Sequence, residues 1–147
     1  MSESLTVESR KTQWEEKTLG ELCDFVNGYA FKSKDFRDSG VPVIRISNIK
    51  NNRISKNKLV FVGNENLESL RAFTSSKGDI LIAMSGATTG KIGINDLDEC
   101  SLLNQRVGKF IPKVGLSKNY LYYFLNIFSS HFLNISEGSA QPNLSTK

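Results

Sequence analysis

Two stretches of the chain carry polar groups at a spacing that could do chemistry. The first, SNIKNNRISKNK (47–58), holds Asn48, Asn51, Asn52 and Asn57 among Lys50, Arg53, Lys56 and Lys58. An asparagine amide can read an adenine edge through two hydrogen bonds, while arginine or lysine can read guanine or hold a phosphate. The same residue types favour turns for local reasons, so an ordinary basic hairpin stands beside the base-reading interpretation. The second stretch, SGATTGK (85–91), is a small loop bounded by glycines, with two hydroxyls (Thr88, Thr89) and a cation, Lys91. Backbone that approaches a ligand closely, with polar tips on a rigid base, suits phosphate or base-edge recognition.

Other chemistries fail on counting. A nucleotide-binding P-loop needs four residues between its glycines, but three separate Gly86 from Gly90, and Ile92 stands where a magnesium-binding Ser or Thr is required. A catalytic triad would rest on the single histidine, His131, which sits in an apolar helical stretch with no nucleophile motif near it. Asp96, Asp98 and Glu99 read as an acidic turn rather than a cation site. An adenine methyltransferase would need an Asn/Asp-Pro-Pro-aromatic loop and a glycine-rich cofactor site, and the sequence has neither. The chain is therefore read as a non-enzyme with no cofactor and no metal.

The elements that must position these groups are short strands. Lys77-Gly78 turns into an apolar strand over 79–84, and 91–94 returns from the 85–91 loop, so the loop crowns a buried hairpin. Gly40-Val41-Pro42 leads into a strand at 43–46, with Arg45 on the face opposite Ile44 and Ile46. Further strands are expected at 59–62 and from Leu102 through Arg106 and Val107 to Ile111, with a short helix at 66–73. Thr18 and Glu21 have capping-box spacing and open a short helix through Asp24. Trp14 begins the fold, and Tyr29 and Phe31 are expected as buried anchors. Ser117 caps a helix running from Lys118 to about Leu133, whose stripe of Leu121, Phe124, Leu125, Phe128 and Phe132 faces a core widened by Tyr120, Tyr122 and Tyr123. The polar residues 1–13 are expected to form a disordered tail.

The 147 residues suffice for one domain with a real core, and no apolar run reaches the roughly 20 residues of a membrane helix. With no signal-peptide pattern, and with two cysteines (Cys23, Cys100) read as reduced and largely buried thiols, the chain is placed in the cytoplasm. The net charge of +4 is unevenly spread: residues 25–58 hold eight Lys/Arg against two Asp/Glu, and 100–147 hold five against one. The intervening residues 59–99 hold three against six. Such a field suits an anionic partner; a solvated basic face is the alternative.

Taken in order, Trp14 followed by TLGEL, NGYAFKSKDF (27–36), GVPVIRISNI (40–49), KGDILIAMSGATTGKIGI (77–94), LLNQRV (102–107), YLYYFL (120–125) and GSAQPNLS (138–145) form a recurring set. The set resembles the target recognition domain of a type I restriction-modification DNA specificity subunit. The resemblance spans 14–145. It implies an α+β fold: a single domain over 14–147 with a twisted, barrel-like, mainly antiparallel sheet and a few helices. It also implies a domain that reads one half of a bipartite double-stranded DNA target. A long spacer helix and a second recognition domain would follow; adenine methyltransferase and translocating restriction subunits would be the partners. Because 147 lies where that helix would begin, the chain is expected to be an isolated, monomeric N-terminal recognition domain. On this reading Arg45, Asn48, Asn51, Asn52 and Arg53 are base-edge candidates, and Lys50, Lys56, Lys58 and Lys91 phosphate contacts. Ser85, Thr88 and Thr89 belong to the same face, holding backbone rather than choosing bases. Gln105, Arg106, Ser139 and Gln141 lie alongside, although 138–144 can equally be read as closing the fold. Three alternatives remain: a fragment of a fused restriction-methyltransferase, a module mainly binding the methyltransferase subunit, and a chain that dimerises to rebuild a two-half-site protein.

Overall fold

Ile80–Ala83 is the strand around which the chain packs, and all four of its residues are buried. Its side chains alternate, so Ile80 and Ile82 enter one apolar cluster while Leu81 and Ala83 enter another on the opposite face. A strand covered on both faces needs a continuous apolar run, and ILIA supplies it. The computed structural model describes residues 14–65, 67–136 and 144.

In chain order the elements are α1 (Leu19–Leu22), β1 (Cys23–Asn27), β2 (Val41–Ile44), β3 (Ile49–Lys50), β4 (Arg53–Ile54), β5 (Val60–Val62), β6 (Thr74–Ser75), β7 (Ile80–Ala83), β8 (Ile92–Ile94), β9 (Ser101–Leu103), β10 (Val107–Pro112), α2 (Lys118–Ile127) and α3 (Ser129–Ser136). One four-stranded sheet has the order β1-β10-β7-β8 and is antiparallel throughout. The other has the order β5-β2-β9-β6, with β2 and β9 parallel. The β3-β4 ribbon forms a separate two-stranded sheet. The architecture is the expected mixed, mainly antiparallel one, as two open sheets rather than a closed barrel.

Helix α2 covers the outer face of the first sheet through Leu121 and Leu125, which are 2% and 0% exposed. Each such leucine contributes about 1.5–3 kcal/mol by leaving water. Ile44, Leu103 and Leu97, together with Ile49 and Ile54 of the ribbon, cover its inner face. The ribbon is thereby part of the core and not a free flap.

Several expected elements are rearranged. The strand expected over 102–111 divides at Asn104, whose side-chain oxygen accepts the Gln105 N–H at 2.9 Å while its carbonyl accepts the Val107 N–H at 2.9 Å. The helix expected over 118–133 breaks at Phe128, and its second half packs on Gly90. The stretch at 67–73 forms turns and a 3-10 turn at Arg71–Phe73 rather than a helix. Ser117 caps α2 as expected, accepting the Tyr120 N–H. Helix α1 ends at Leu22, and Cys23 already belongs to β1. Trp14 is 98% exposed; Tyr29, expected as a buried anchor, is exposed, and so are Tyr120 and Tyr123, expected to pack on the core. Cys23 is buried, whereas Cys100 is exposed.

Candidate nucleic-acid interface

After β2 the chain rounds a 3-10 turn at Ile46–Asn48 and enters the ribbon. Asn48 is fully buried. Its Oδ1 accepts the Arg45 N–H at 2.9 Å, and its Nδ2 donates to the carbonyls of Ser55 at 3.1 Å and Asn57 at 3.3 Å. The Ser55 N–H donates to the Asn48 carbonyl at 2.7 Å. Asn48 thus ties the entry of the ribbon to its exit, and with its amide buried and committed it faces no ligand. Arg45 is likewise held: its guanidinium donates to the Lys58 carbonyl at 2.7 Å and lies 5.9 Å from the centre of the Phe36 ring. Arg45 does not alternate within a strand as the sequence suggests, because β2 ends one residue earlier.

Beyond this brace lies the ribbon tip. Lys50 pairs with Arg53 across a two-residue turn in which Asn51 and Asn52 have φ of 52° and 61°. Positive φ at both central residues is the type I′ pattern, whose twist matches the flanking strands, and asparagine tolerates it better than most residues. All four residues are exposed. The tip is nonetheless fixed: the Asn52 carbonyl accepts the Ile94 N–H at 2.9 Å. The ribbon also lies so close to β8 that a Cβ on Gly93 would be 3.2 Å from the Arg53 carbonyl oxygen.

In the 85–91 loop the polar groups turn inward. The Thr88 hydroxyl donates to the Ile46 carbonyl at 3.1 Å, and the Thr89 hydroxyl, on a residue only 4% exposed, donates to the Gly86 carbonyl at 2.7 Å. The expectation that this loop lifts both hydroxyls toward a ligand is therefore corrected: they close the loop and fasten it to 46–48. Ser85 is half-buried, and Lys91 is the exposed cation of the loop. Gly90, with φ of 83°, is where α3 arrives; a Cβ there would lie 2.8 Å from the Ser129 carbonyl oxygen.

Gln105 and Arg106 are exposed on the turn between β9 and β10. That turn joins the two loops, because the Asn104 N–H donates to the Ile44 carbonyl and the Met84 N–H to the Arg106 carbonyl, both at 2.9 Å. Arg45, Ser85, Thr88, Lys91, Gln105 and Arg106 therefore gather at one end of the sheets, while the ribbon carries Lys50–Arg53 along β8, about 10 Å away by strand rise. Ser139 and Gln141 lie outside the described residues.

The basic segment meets an acidic turn that its charge count conceals. Arg53 Nη1 lies 3.8 Å from Asp96 Oδ2. Lys56 and Lys58 share a groove of about 410 Å³ with Asp98 and Glu99. A hydrogen bond from Lys77 at 2.7 Å, and that residue's charge, hold the Asp98 carboxyl below the ordinary aspartate range, with Lys56 adding to the effect. Sequence reasoning recognised 95–100 as an acidic turn but had no signal that it adjoins the ribbon. Elsewhere, burial pushes the Cys23 thiol up, and the residue lines an apolar cavity of about 260 Å³ with Phe25, Met84 and Phe132. Among the described residues no three His, Cys, Asp or Glu side chains are grouped to hold a metal, and no helix is long and apolar enough to cross a membrane.

Comparison with known proteins bears on this arrangement. The type I restriction modification DNA specificity domain family matches residues 11–147. The type I restriction enzyme MjaVIII specificity subunit of Methanocaldococcus jannaschii is 32% identical over 140 residues, covering 90% of this chain and 33% of that protein. The EcoAI specificity subunit of Escherichia coli is 33% identical over 142 residues, covering 91% of this chain and 24% of that protein. Among solved structures, the S subunit of a type I restriction-modification system from M. genitalium superposes with a TM-score of 0.63 at 15% identity, over 93% of this chain and 32% of that one. This chain spans a third or less of the length of these proteins, and at such identity the structural likeness carries the fold alone.

Proposed function

This chain belongs to the type I restriction modification DNA specificity domain family, and from that premise we propose that it reads one half of a bipartite DNA target without catalysing any reaction. The observation that carries the reading is the ribbon tip. Asn51 and Asn52 stand exposed between Lys50 and Arg53 on a ribbon braced by Asn48 and docked on β8. A two-stranded ribbon fits the major groove, where asparagine can pair with adenine and arginine with guanine. A tip fixed before binding loses little entropy on docking. Lys50, Lys56, Lys58 and Lys91 hold phosphates, and Gln105 and Arg106 touch the duplex at the other end of the sheets. Arg45, Asn48, Thr88 and Thr89 position these groups.

Residues 14–147 act as one recognition domain. In a full-length cytoplasmic assembly the domain directs a DNA adenine methyltransferase subunit and a restriction subunit, and alone it is monomeric and binds weakly. The test replaces Asn51 and Asn52 together by glycine, which keeps the positive φ the turn needs and deletes both amides. The target comes from methylome sequencing of cells carrying the full subunit with its methyltransferase. Each lost bidentate pair is expected to cost about 1–3 kcal/mol of discrimination at its position, with binding to random duplex and the melting temperature unchanged. Unaltered methylation specificity in the double variant would overturn the tip as the reader.

A further inference from the structure

We propose that the acidic turn at 96–99 is a specificity-determining element, whose carboxylates compete with phosphate for the cations of the ribbon and so hold back sequence-independent binding. The inference rests on the reading of the ribbon as the DNA-contacting element. From the tip onward, each cation of the ribbon segment has a carboxylate nearby. Arg53 lies 3.8 Å from Asp96, and Lys56 and Lys58 face Asp98 and Glu99 across one groove. On this proposal these carboxylates stand beside the cations that phosphate oxygens would otherwise approach.

The turn is also fixed in position. Asn95 is fully buried, and its amide donates to the hydroxyls of Ser75 at 2.9 Å and Ser101 at 3.1 Å. Its Oδ1 accepts the Leu97 N–H at 3.0 Å, and Leu97 itself is buried in the cluster that holds Ile49 and Ile54 of the ribbon. The backbone that carries the carboxylates at 96, 98 and 99 is therefore anchored beside the ribbon through Asn95 and Leu97. The Asp98 carboxylate is held below the ordinary aspartate range by a hydrogen bond from Lys77, with Lys56 adding to the effect. A competitor of this kind opposes phosphate contacts on every sequence alike. It leaves the exposed amides of Asn51 and Asn52 free, so base contacts decide where the chain remains bound.

The test measures binding of the 147-residue chain to a random-sequence 30-bp duplex across a salt series. It compares the wild type with D96N/D98N/E99Q and with a control, E15Q/E16Q/D24N, that raises net charge equally at the other edge of the first sheet. The turn variant is expected to bind about tenfold more tightly at low salt and to show a steeper salt dependence by about 2, since each phosphate contact adds roughly 0.9 to the slope. The control is expected to gain less than about threefold with an unchanged slope. Equal gains in both variants would show bulk charge at work and overturn the competition. So would a turn variant indistinguishable from a wild type that does bind. If none of the three proteins binds at low salt, the reading of the ribbon fails, and the inference fails with it.

Discussion

In the 85–91 loop both threonine hydroxyls donate to carbonyls of the chain itself, Thr88 to Ile46 and Thr89 to Gly86, whereas at the ribbon tip Asn51 and Asn52 leave their side chains in solvent. The ribbon segment repeats the contrast within itself. Asn48 and Asn51 are three residues apart and chemically identical, yet one is fully buried and the other exposed. Residue type does not separate the two uses. What separates them is whether nearby backbone carries N–H or C=O groups that the fold cannot otherwise satisfy. The 3-10 turn at Ile46–Asn48 leaves such groups at Arg45, Ile46, Ser55 and Asn57, and Asn48 and Thr88 take them. The type I′ turn at the tip makes no such demand on its side chains, because the Asn52 carbonyl is matched by the Ile94 N–H.

Breaking the brace is the most severe challenge to this contrast. In Asn48→Ala the Arg45 N–H and the carbonyls of Ser55 and Asn57 lose the fully buried amide that joins them. Losing three part-buried hydrogen bonds and the packing of the amide gives an expected loss of about 3 kcal/mol, read as a lower urea midpoint. A loss below about 1 kcal/mol would mean that the segment is held by the packing of Ile49 and Ile54 rather than by the amide.

A smaller effect is expected at the loop. Gly90→Ala puts a Cβ 2.8 Å from the Ser129 carbonyl oxygen and forces a left-handed φ of 83° on alanine. The expected destabilisation is about 2 kcal/mol. Its signature is local, with faster amide exchange in α3 and unchanged protection in the ribbon. Equal loosening of both regions would show that the loop and the tip form one unit, and the contrast between them would not hold.

The sequence exposed these two regions to different depths. The hairpin under the loop was legible almost to the residue, because an Ile/Leu run entered from Lys-Gly and left through Ser-Gly has one good solution, and β7 and β8 fill it. The division of 102–111 had a visible signal in the polar Asn104-Gln105-Arg106, but the apolar residues on either side outweighed it. The break at Phe128 had none: no glycine or proline marks it, and α3 is redirected to pack on Gly90, nearly 40 residues earlier. At the candidate site the Asn- and Lys-rich composition of 47–58 was legible, while the fate of each asparagine was not. Burial of Asn48 depends on the carbonyls of Ser55 and Asn57, which only the folded ribbon brings within reach. The proximity of Asp96 to Arg53 likewise spans 43 positions and exists only through the docking of the ribbon on β8.

The finest test of the contrast is Thr88→Val, which keeps the shape of the side chain and removes its hydroxyl. The Ile46 carbonyl loses a donor at 3.1 Å on a half-buried residue, so a destabilisation of about 1 kcal/mol is expected. If the hydroxyl serves the loop alone, affinity for random duplex stays within about threefold of wild type, because roughly 0.6 kcal/mol is the most that slight loosening of a distant tip can cost. A larger loss of affinity at unchanged stability would place the hydroxyl on DNA. The 85–91 loop would then join the ribbon as a contacting element, and the inward hydrogen bond would be a resting contact that gives way on binding.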